Sequence, residues 1–238
     1  MKPEFIRTAM TVGCDNVEKL NKSNVIIFGL GGVGSYVFEA LCRVGIGRFT
    51  LVDGDTVSLS NINRQLCALH STVGRYKTEV LAERGTDINP DCKIRVINEY
   101  LSADNAEKFF DEKYDFCVDA IDDTDAKVII ARKCSQYGIP FIASMGTGNK
   151  IYTDRFVVTD IYKTEYCKLC RTMRKKYRDA GLKKVTVVYS PEPSREIMCE
   201  IPEDEINGRR PPASISFVPG TAGLAIAGEV VREMTGVE

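Results

Sequence analysis

The run Gly29-Leu30-Gly31-Gly32-Val33-Gly34 follows an apolar stretch, Val25-Ile26-Ile27-Phe28, and leads into a helical pattern. Glycines at that spacing allow a tight turn and let phosphate oxygens approach backbone N–H groups, while the start of the next helix favours anions. Asp53 closes the following apolar strand, 24 residues beyond Gly29, where a carboxylate can accept hydrogen bonds from ribose hydroxyls. That much serves NAD or ATP. Just beyond it, Asp53-Gly54-Asp55, Asn61-Ile62-Asn63-Arg64-Gln65 and Lys77 supply two cations and several amides. Hydride transfer has no need of Arg and Lys converging near phosphates, whereas displacement at phosphorus must stabilise negative charge spread over phosphoryl oxygens. The pattern favours ATP.

Asp119-Ala120-Ile121-Asp122-Asp123 follows another apolar strand, which puts carboxylates at the C-terminal edge of a sheet, where ligands of such folds bind. A hard Mg²⁺ ion takes one or two carboxylates plus phosphate oxygens, and Asp122 is the candidate ligand. The competing reading is helix N-capping by Asp122 or Asp123. Between Lys168 and Lys184 stand eight bases (Lys168, Arg171, Arg174, Lys175, Lys176, Arg178, Lys183, Lys184) and one acid, Asp179. Leu169, Met173, Tyr177 and Ala180 recur at helical spacing, so one face can pack while the other carries cations able to meet a nucleic-acid backbone. A merely solvated helix face is the alternative. Arg209 and Arg210 extend the basic surface on this reading.

The elements that must position these residues alternate between strand and helix. Strands are expected at Val25–Phe28, Phe49–Val52, Lys93–Ile97, Phe116–Val118 and Pro140–Ala143, with helices at Val33–Val44, Thr78–Ile88 and Asp125–Tyr137. Such alternation predicts an α/β, Rossmann-like, mainly parallel sheet with flanking helices. Beyond about residue 150 the pattern loosens. Strands are expected at Phe156–Val158, Val185–Tyr189 and Ile215–Val218, forming an antiparallel extension around a basic helix near Thr164–Ala180, with a last helix near Thr221–Met234. The 238 residues suit one domain, with a nucleotide-binding core over about 1–150 and a substrate-facing extension over about 151–238.

A net charge of −1 from 32 bases and 33 acids excludes a uniformly basic coat protein. With the Lys168–Lys184 segment at +7, the remainder carries −8, so the balance joins a mildly acidic body to one cationic stripe. A single His leaves little for a His-rich metal site or a Ser-His-Asp triad. Nine Cys without a disulfide-framework spacing are expected as thiols, seven of them as small core residues. With no signal-peptide pattern and no membrane-length apolar run, a soluble, cytoplasmic protein without membrane contact is expected. The charge-free stretch Pro211–Gly228 reads as a buried loop and helix.

Taken together, GLGGVGS at 29–35, LVDGDTVSLSNINRQ at 51–65, Lys77 and VDAIDD at 118–123 resemble the adenylating superfamily of ubiquitin-activating and sulfur-carrier-activating enzymes. The likeness continues through ASMGTGNK at 143–150, DIYKT at 160–164 and KKVTVVYS at 183–190, where it resembles the tRNA threonylcarbamoyladenosine dehydratases. The resemblance implies that Gly29, Gly31, Gly32 and Gly34 cradle ATP phosphates and that Asp53 holds the ribose. Asn61, with Asp55, Gln65 and Asp119, lines the nucleotide pocket, and Asp122 holds Mg²⁺. Arg64 and Lys77 stabilise the triphosphate and its transition state, and Arg7 reaches the ATP of a second subunit, which implies a homodimer. The implied reaction adenylates the threonyl carboxylate of a modified tRNA adenosine, then closes a ring with loss of AMP, a net dehydration; tRNA is the partner and a sulfur-transfer protein a further one.

Two departures bear on this. Sulfur-carrier activators often hold zinc with two C-x-x-C pairs, whereas this chain has one, Cys167-Lys168-Leu169-Cys170, and then an isolated Cys199. Zinc needs four ligands, so two thiols on a basic helix are the better reading, with a redox role open. Some relatives carry an acceptor Cys before the last helix, where this chain reads Ala213-Ser214-Ile215-Ser216-Phe217. That absence favours the dehydratase over the rival activator of a ubiquitin-like sulfur carrier's C-terminus. An NAD-dependent oxidoreductase and a non-catalytic, tRNA-docking regulator are the rivals from other classes.

Overall fold

A computed structural model describes residues 1–199 and 212–237. Seven strands, β1 (Asn24–Phe28), β2 (Arg48–Val52), β3 (Lys93–Ile97), β4 (Phe116–Asp119), β5 (Phe141–Ser144), β6 (Val157–Asp160) and β7 (Thr186–Tyr189), form one sheet in the order β3-β2-β1-β4-β5-β7-β6. Every pairing is parallel except β6 with β7. The chain runs outward from β1 through β2 to β3, then returns to lay β4 on the other side of β1. That reversal makes the carboxyl ends of β1 and β4 the switch point where ligands of doubly wound sheets bind. All five residues of β1 are buried, as the central strand of a sheet covered on both faces requires.

Seven α-helices flank the sheet: α1 (Ile6–Val12), α2 (Cys14–Lys22), α3 (Gly34–Val44), α4 (Lys77–Ile88), α5 (Thr124–Tyr137), α6 (Lys168–Asp179) and α7 (Phe217–Thr235). The largest core cluster joins Val37, Phe38 and Leu41 of α3, Leu81 of α4 and Ile226 and Val230 of α7 to Val25 and Ile27 of β1. A second cluster sets Ile130 and Cys134 of α5 against Ile26, Phe28 and Cys117 on strands. A third gathers Cys170, Met173 and Tyr177 of α6 over Ala143 and Val187.

The expected elements of the nucleotide-binding half form within a residue or so of their expected limits. The C-terminal third needs one correction. Ile215–Val218 is no strand: Ser216 is the N-cap of α7, and Phe217 and Val218 open that helix. Its β-branched character suggested a strand, but Pro219 lies in the first helical turn, where a missing N–H costs nothing. The charge-free stretch is also only partly buried: Val218, Ala222, Ile226 and Ala227 are inside, while Phe217 and Leu224 are exposed. One stripe of α7 lies against α3 so closely that a Cβ on Gly223 would fall 2.5 Å from the Val33 carbonyl oxygen; the opposite stripe faces outward. Pro211, Arg209 and Arg210 lie outside the described residues.

Helices α1 and α2 escape a reading based on long apolar periodicity because they are only seven and nine residues long. Of their residues only Val17 and Leu20 are buried. Seven cysteines are buried, Cys167 and Cys170 among them, and Cys14 and Cys199 are exposed; none forms a disulfide. Among the described residues no helix is long and apolar enough to cross a membrane.

Candidate active site

The glycine-rich loop leaves β1 at Gly29, whose φ of +82° falls in the left-handed region that disfavours side chains. Space alone also demands glycine: a Cβ there would lie 2.7 Å from the Ala120 carbonyl oxygen, and one on Gly34 only 1.8 Å from the Gly29 carbonyl oxygen. Gly29 and Gly34 therefore let the loop, the start of α3 and the β4 loop close on one another. Gly31 and Gly32 face different neighbours: their absent Cβ atoms would lie 3.6 Å from Gln65 Nε2 and 3.1 Å from Pro219. The Arg64 side-chain stem passes over the same spot, 3.5 Å from where a Gly32 Cβ would sit.

Asp53 ends β2 and is tied to this loop. Its Oδ2 accepts the Leu30 N–H at 2.6 Å and its Oδ1 accepts the Asp55 N–H at 2.8 Å. Burial pushes the Asp53 carboxyl above its ordinary value, while the nearby Lys77 ammonium and the two N–H donors pull it back. Lys77 opens α4 and is 4% exposed, with its Nζ 2.6 Å from Asp55 Oδ2. Tyr100, which has no sequence signature, donates its hydroxyl to the other Asp55 oxygen and packs its ring where a Gly54 Cβ would stand. Burial raises the Asp55 carboxyl, but the hydrogen bonds from Lys77 and Tyr100 outweigh it and hold the group below its ordinary 3.8.

A depressed carboxylate contributes stability above its unfolded pKa and loses that contribution as pH falls through the folded one. Asp55→Asn is therefore expected to melt below the parent near neutral pH, with the difference closing as pH drops below 3.8. Thermal melts across that interval check it, and a difference that persists at lower pH contradicts the ion pair. Asp53, shifted upward, works in the opposite sense.

The Asn61–Gln65 segment is a compact turn. Asn61 Oδ1 accepts the Ser58 N–H, and the Asn61 carbonyl accepts the N–H groups of Arg64 and Gln65. Arg64 Nη1 donates to the Ser60 carbonyl at 2.9 Å and to Asn63 Oδ1 at 2.8 Å, which aims the guanidinium from a rigid base. Gln65 is buried beside Gly31.

The β4 carboxylates separate into three environments. Asp119 is fully buried: Oδ1 accepts Lys127 Nζ at 2.9 Å and the Ile121 N–H at 3.2 Å, and Oδ2 has no partner. The structure thus places Asp119, expected as a pocket-lining group, inside the protein as the partner of Lys127, with no carboxylate surface exposed. Lys127, equally buried, also donates to the Ser144 carbonyl at 2.8 Å and so joins the ends of β4 and β5. Asp123 is the N-cap of α5, accepting the N–H groups of Asp125 and Ala126 at 2.8 Å. Asp122 is exposed and accepts no hydrogen bond among the described residues. Its freedom fits a one-carboxylate Mg²⁺ site completed by phosphate oxygens and water. No group of three or more His, Cys, Asp or Glu suited to a metal occurs among the described residues.

Arg7 lies exposed on α1 and is not brought to this loop by any contact of its own chain among the described residues. The six cations of α6 divide. Arg174 turns inward to the Thr164 carbonyl at 2.7 Å, Lys176 pairs with Asp125 at 2.7 Å, and Arg178 lies over the Tyr162 ring at 5.6 Å. Lys168, Arg171 and Lys175 are exposed and have no such partners among the described residues. The buried stripe is Cys170, Met173 and Tyr177, one position off the expected Leu169 at its start.

A glycine-rich turn at the switch point of a parallel sheet, with a carboxylate at the end of β2, defines a Rossmann-like nucleotide-binding α/β protein. The ThiF family model matches residues 5–238, and the chain belongs to that family. It is 39% identical to a tRNA threonylcarbamoyladenosine dehydratase of Bacillus subtilis over 98% of this chain and 95% of that one. The E. coli dehydratase of the same name is 35% identical over 77% of this chain and 69% of its own length. A crystal structure of the E. coli enzyme in complex with ATP superimposes with a TM-score of 0.88 at 30% identity, covering 98% of this chain and 94% of that one.

Proposed function

We propose that this protein is an ATP-dependent enzyme that dehydrates N6-threonylcarbamoyladenosine in tRNA. The observation that carries the reading is likeness over nearly the whole length of both chains to a dehydratase of that name. It extends through the C-terminal third, whereas a molybdopterin-synthase adenylyltransferase of Haemophilus influenzae is matched over 56% of this chain. In this reaction a threonyl carboxylate oxygen attacks the α-phosphorus of ATP and pyrophosphate leaves. The resulting acyl-adenylate is attacked from within the same modified nucleoside, the ring closes, and AMP departs with the carboxylate oxygen.

The chain's own residues serve this by holding charge in place. Backbone N–H groups at Gly31, Gly32 and Gly34 receive phosphate oxygens, Gly29, whose own N–H is held by the Val52 carbonyl at 2.8 Å, makes the turn that presents them, Asp53 faces the ribose, and Asn61 and Gln65 shape the pocket. Arg64 and Lys77 stabilise charge at the phosphates, where preorganised donors are worth most. Asp55 orients Lys77, and Asp119 acts at one remove, through Lys127. Asp122 would hold Mg²⁺, which when bound neutralises phosphate charge. Arg7, whose side chain has no partner among the described residues, serves the site of a second subunit in a homodimer. The protein works in the cytoplasm on this reading, which also admits a sulfur-transfer protein as partner.

The test is to incubate the protein with ATP, Mg²⁺ and tRNA carrying the modified nucleoside, then weigh that nucleoside. Loss of one water is expected. An unchanged mass, with pyrophosphate exchange that depends on a carrier protein instead, would sink the proposal in favour of the sulfur-carrier activator.

The outward cations of α6 make a second expectation. Charge reversal at Lys168, Arg171 or Lys175 should lower the slope of log affinity for tRNA against log salt by about one per lost phosphate contact. The same change at Arg174 or Lys176, both engaged within the chain, should act mainly on stability. Filter binding across a salt series distinguishes the two groups.

A further inference from the structure

We propose that Cys167 and Cys170 form a redox-active dithiol that closes to an intramolecular disulfide by exchange with an external disulfide. Cys167 is the N-cap of α6, and its sulfur accepts the Cys170 N–H at 3.4 Å. Gly146, in the loop leaving β5, lies against the same sulfur. A Cβ on Gly146 would lie 3.8 Å from that sulfur, so the loop fits closely against it. The buried ammonium of Lys150, anchored on the Ser190 and Glu192 carbonyls, adds positive charge nearby.

A helix N–H on the sulfur, a close-packed backbone loop and a nearby buried cation form a cradle for a thiolate. A thiol, a weak acceptor, has no use for it, and Ser, Thr, Asp or Asn would cap the helix better. In keeping with this, the Cys170 thiol, ahead of the helix N–H and Lys150, holds Cys167 well below an ordinary thiol, whereas Cys170 is pushed up by its neighbour and by burial. Cys167 keeps 8% of its surface exposed and Cys170 none. One thiolate is thus presented as nucleophile, with a second thiol behind it to resolve the product. Among the described residues no further ligand makes the pair a metal site.

The exchange balances without any other reactant. The Cys167 thiolate attacks one sulfur of an external disulfide, forming a mixed disulfide and expelling a thiolate that takes up a proton. Cys170 then gives up its proton, attacks the Cys167 sulfur and expels the second external thiolate. The dithiol is oxidised by two electrons and the external disulfide is reduced to two thiols. The chemistry needs neither ATP nor tRNA, so its outcome is independent of the proposed dehydratase activity.

The full-length protein is incubated, folded, in a graded series of reduced and oxidised glutathione, and in parallel with a folded protein bearing a surface disulfide. Free thiols are then alkylated and peptides weighed. The expected result is a peptide containing residues 167–170 that has lost two hydrogens, regains them with dithiothreitol, and appears before adducts on the exposed Cys14. Closure with glutathione alone marks a small-molecule oxidant, and closure with both marks a site open to proteins as well; either supports the dithiol. Cys170→Ala should trap glutathione on Cys167. Thiols at 167 and 170 that persist while Cys14 is modified, or that oxidise only after denaturation, overturn the proposal, and this wild-type reading stands even if the variant does not fold.

Discussion

Replacing Arg64 with Ala is expected to lower kcat for tRNA-dependent AMP formation by about 10²–10³-fold, the range found when one preorganised donor to a transition-state charge is removed. The guanidinium is steadied by the Ser60 carbonyl and Asn63 Oδ1, and its stem lies over Gly32. In the proposed reaction it would meet the phosphates without searching for a rotamer, so little ordering entropy would be lost as charge develops. The side chain supports no core element, and thermal stability should change by no more than about 0.5 kcal/mol, as for an ordinary surface substitution. Lys at this position should recover only part of the rate, because a point charge cannot reproduce the planar fork of donors. Quenched-flow measurement of AMP, with a melt on each variant, checks the claim. Retained turnover in the Ala variant would remove Arg64 from the chemistry.

The largest loss of stability is expected at Lys127. Lys127→Met leaves the Asp119 carboxylate buried with no cation, a class of change that costs about 3–5 kcal/mol. Burial already raises the Asp119 carboxyl, with Lys127 holding it down, so in the variant Asp119 should bind a proton and the deficit should widen as pH rises. The companion variant Asp119→Asn/Lys127→Met removes the stranded charge and should recover much of the loss. Urea titrations at two pH values test both statements. Equal stability of the single and double variants would mean that the pair contributes packing and no electrostatics. Because Lys127 also fixes the Ser144 carbonyl, the double variant should still raise KM for ATP by loosening the β4 and β5 ends that flank Asp122.

What could be read along the chain was whatever depends on local spacing. The first five strands and the helices between them followed from apolar runs of strand length alternating with helical patterns, because a buried parallel strand and an amphipathic helix each repeat over a few residues. The glycine loop was legible for the same reason, since tight turns require glycine at fixed offsets. Ile215–Val218 misled because local β propensity lost to a helix whose register is set by Gly220 and Gly223 packing on Tyr36 and Val33. Lys127 and Tyr100 were invisible: each meets its partner from another element, eight and 45 residues away, with no spacing to announce it.

Sequence alone determined the fold class, the glycine-rich loop and the family resemblance, and it singled out Arg64 and Lys77 as candidates; all of these rest on residues close together in the chain or on motifs in fixed order. Only the tertiary structure decided how these residues are employed. It turned four similar carboxylates near β4 into a buried ion-pair partner, an N-cap, a surface ion-pair partner and one free exposed group. It sorted six like cations into three engaged within the chain, one of them turned inward, and three without such partners among the described residues, and it drew Gly146 and Lys150 around Cys167. The physical reason is the same throughout. Desolvation and charge pairing depend on neighbours in space, and for a side chain of given type those neighbours set whether it holds structure together or stays available for chemistry.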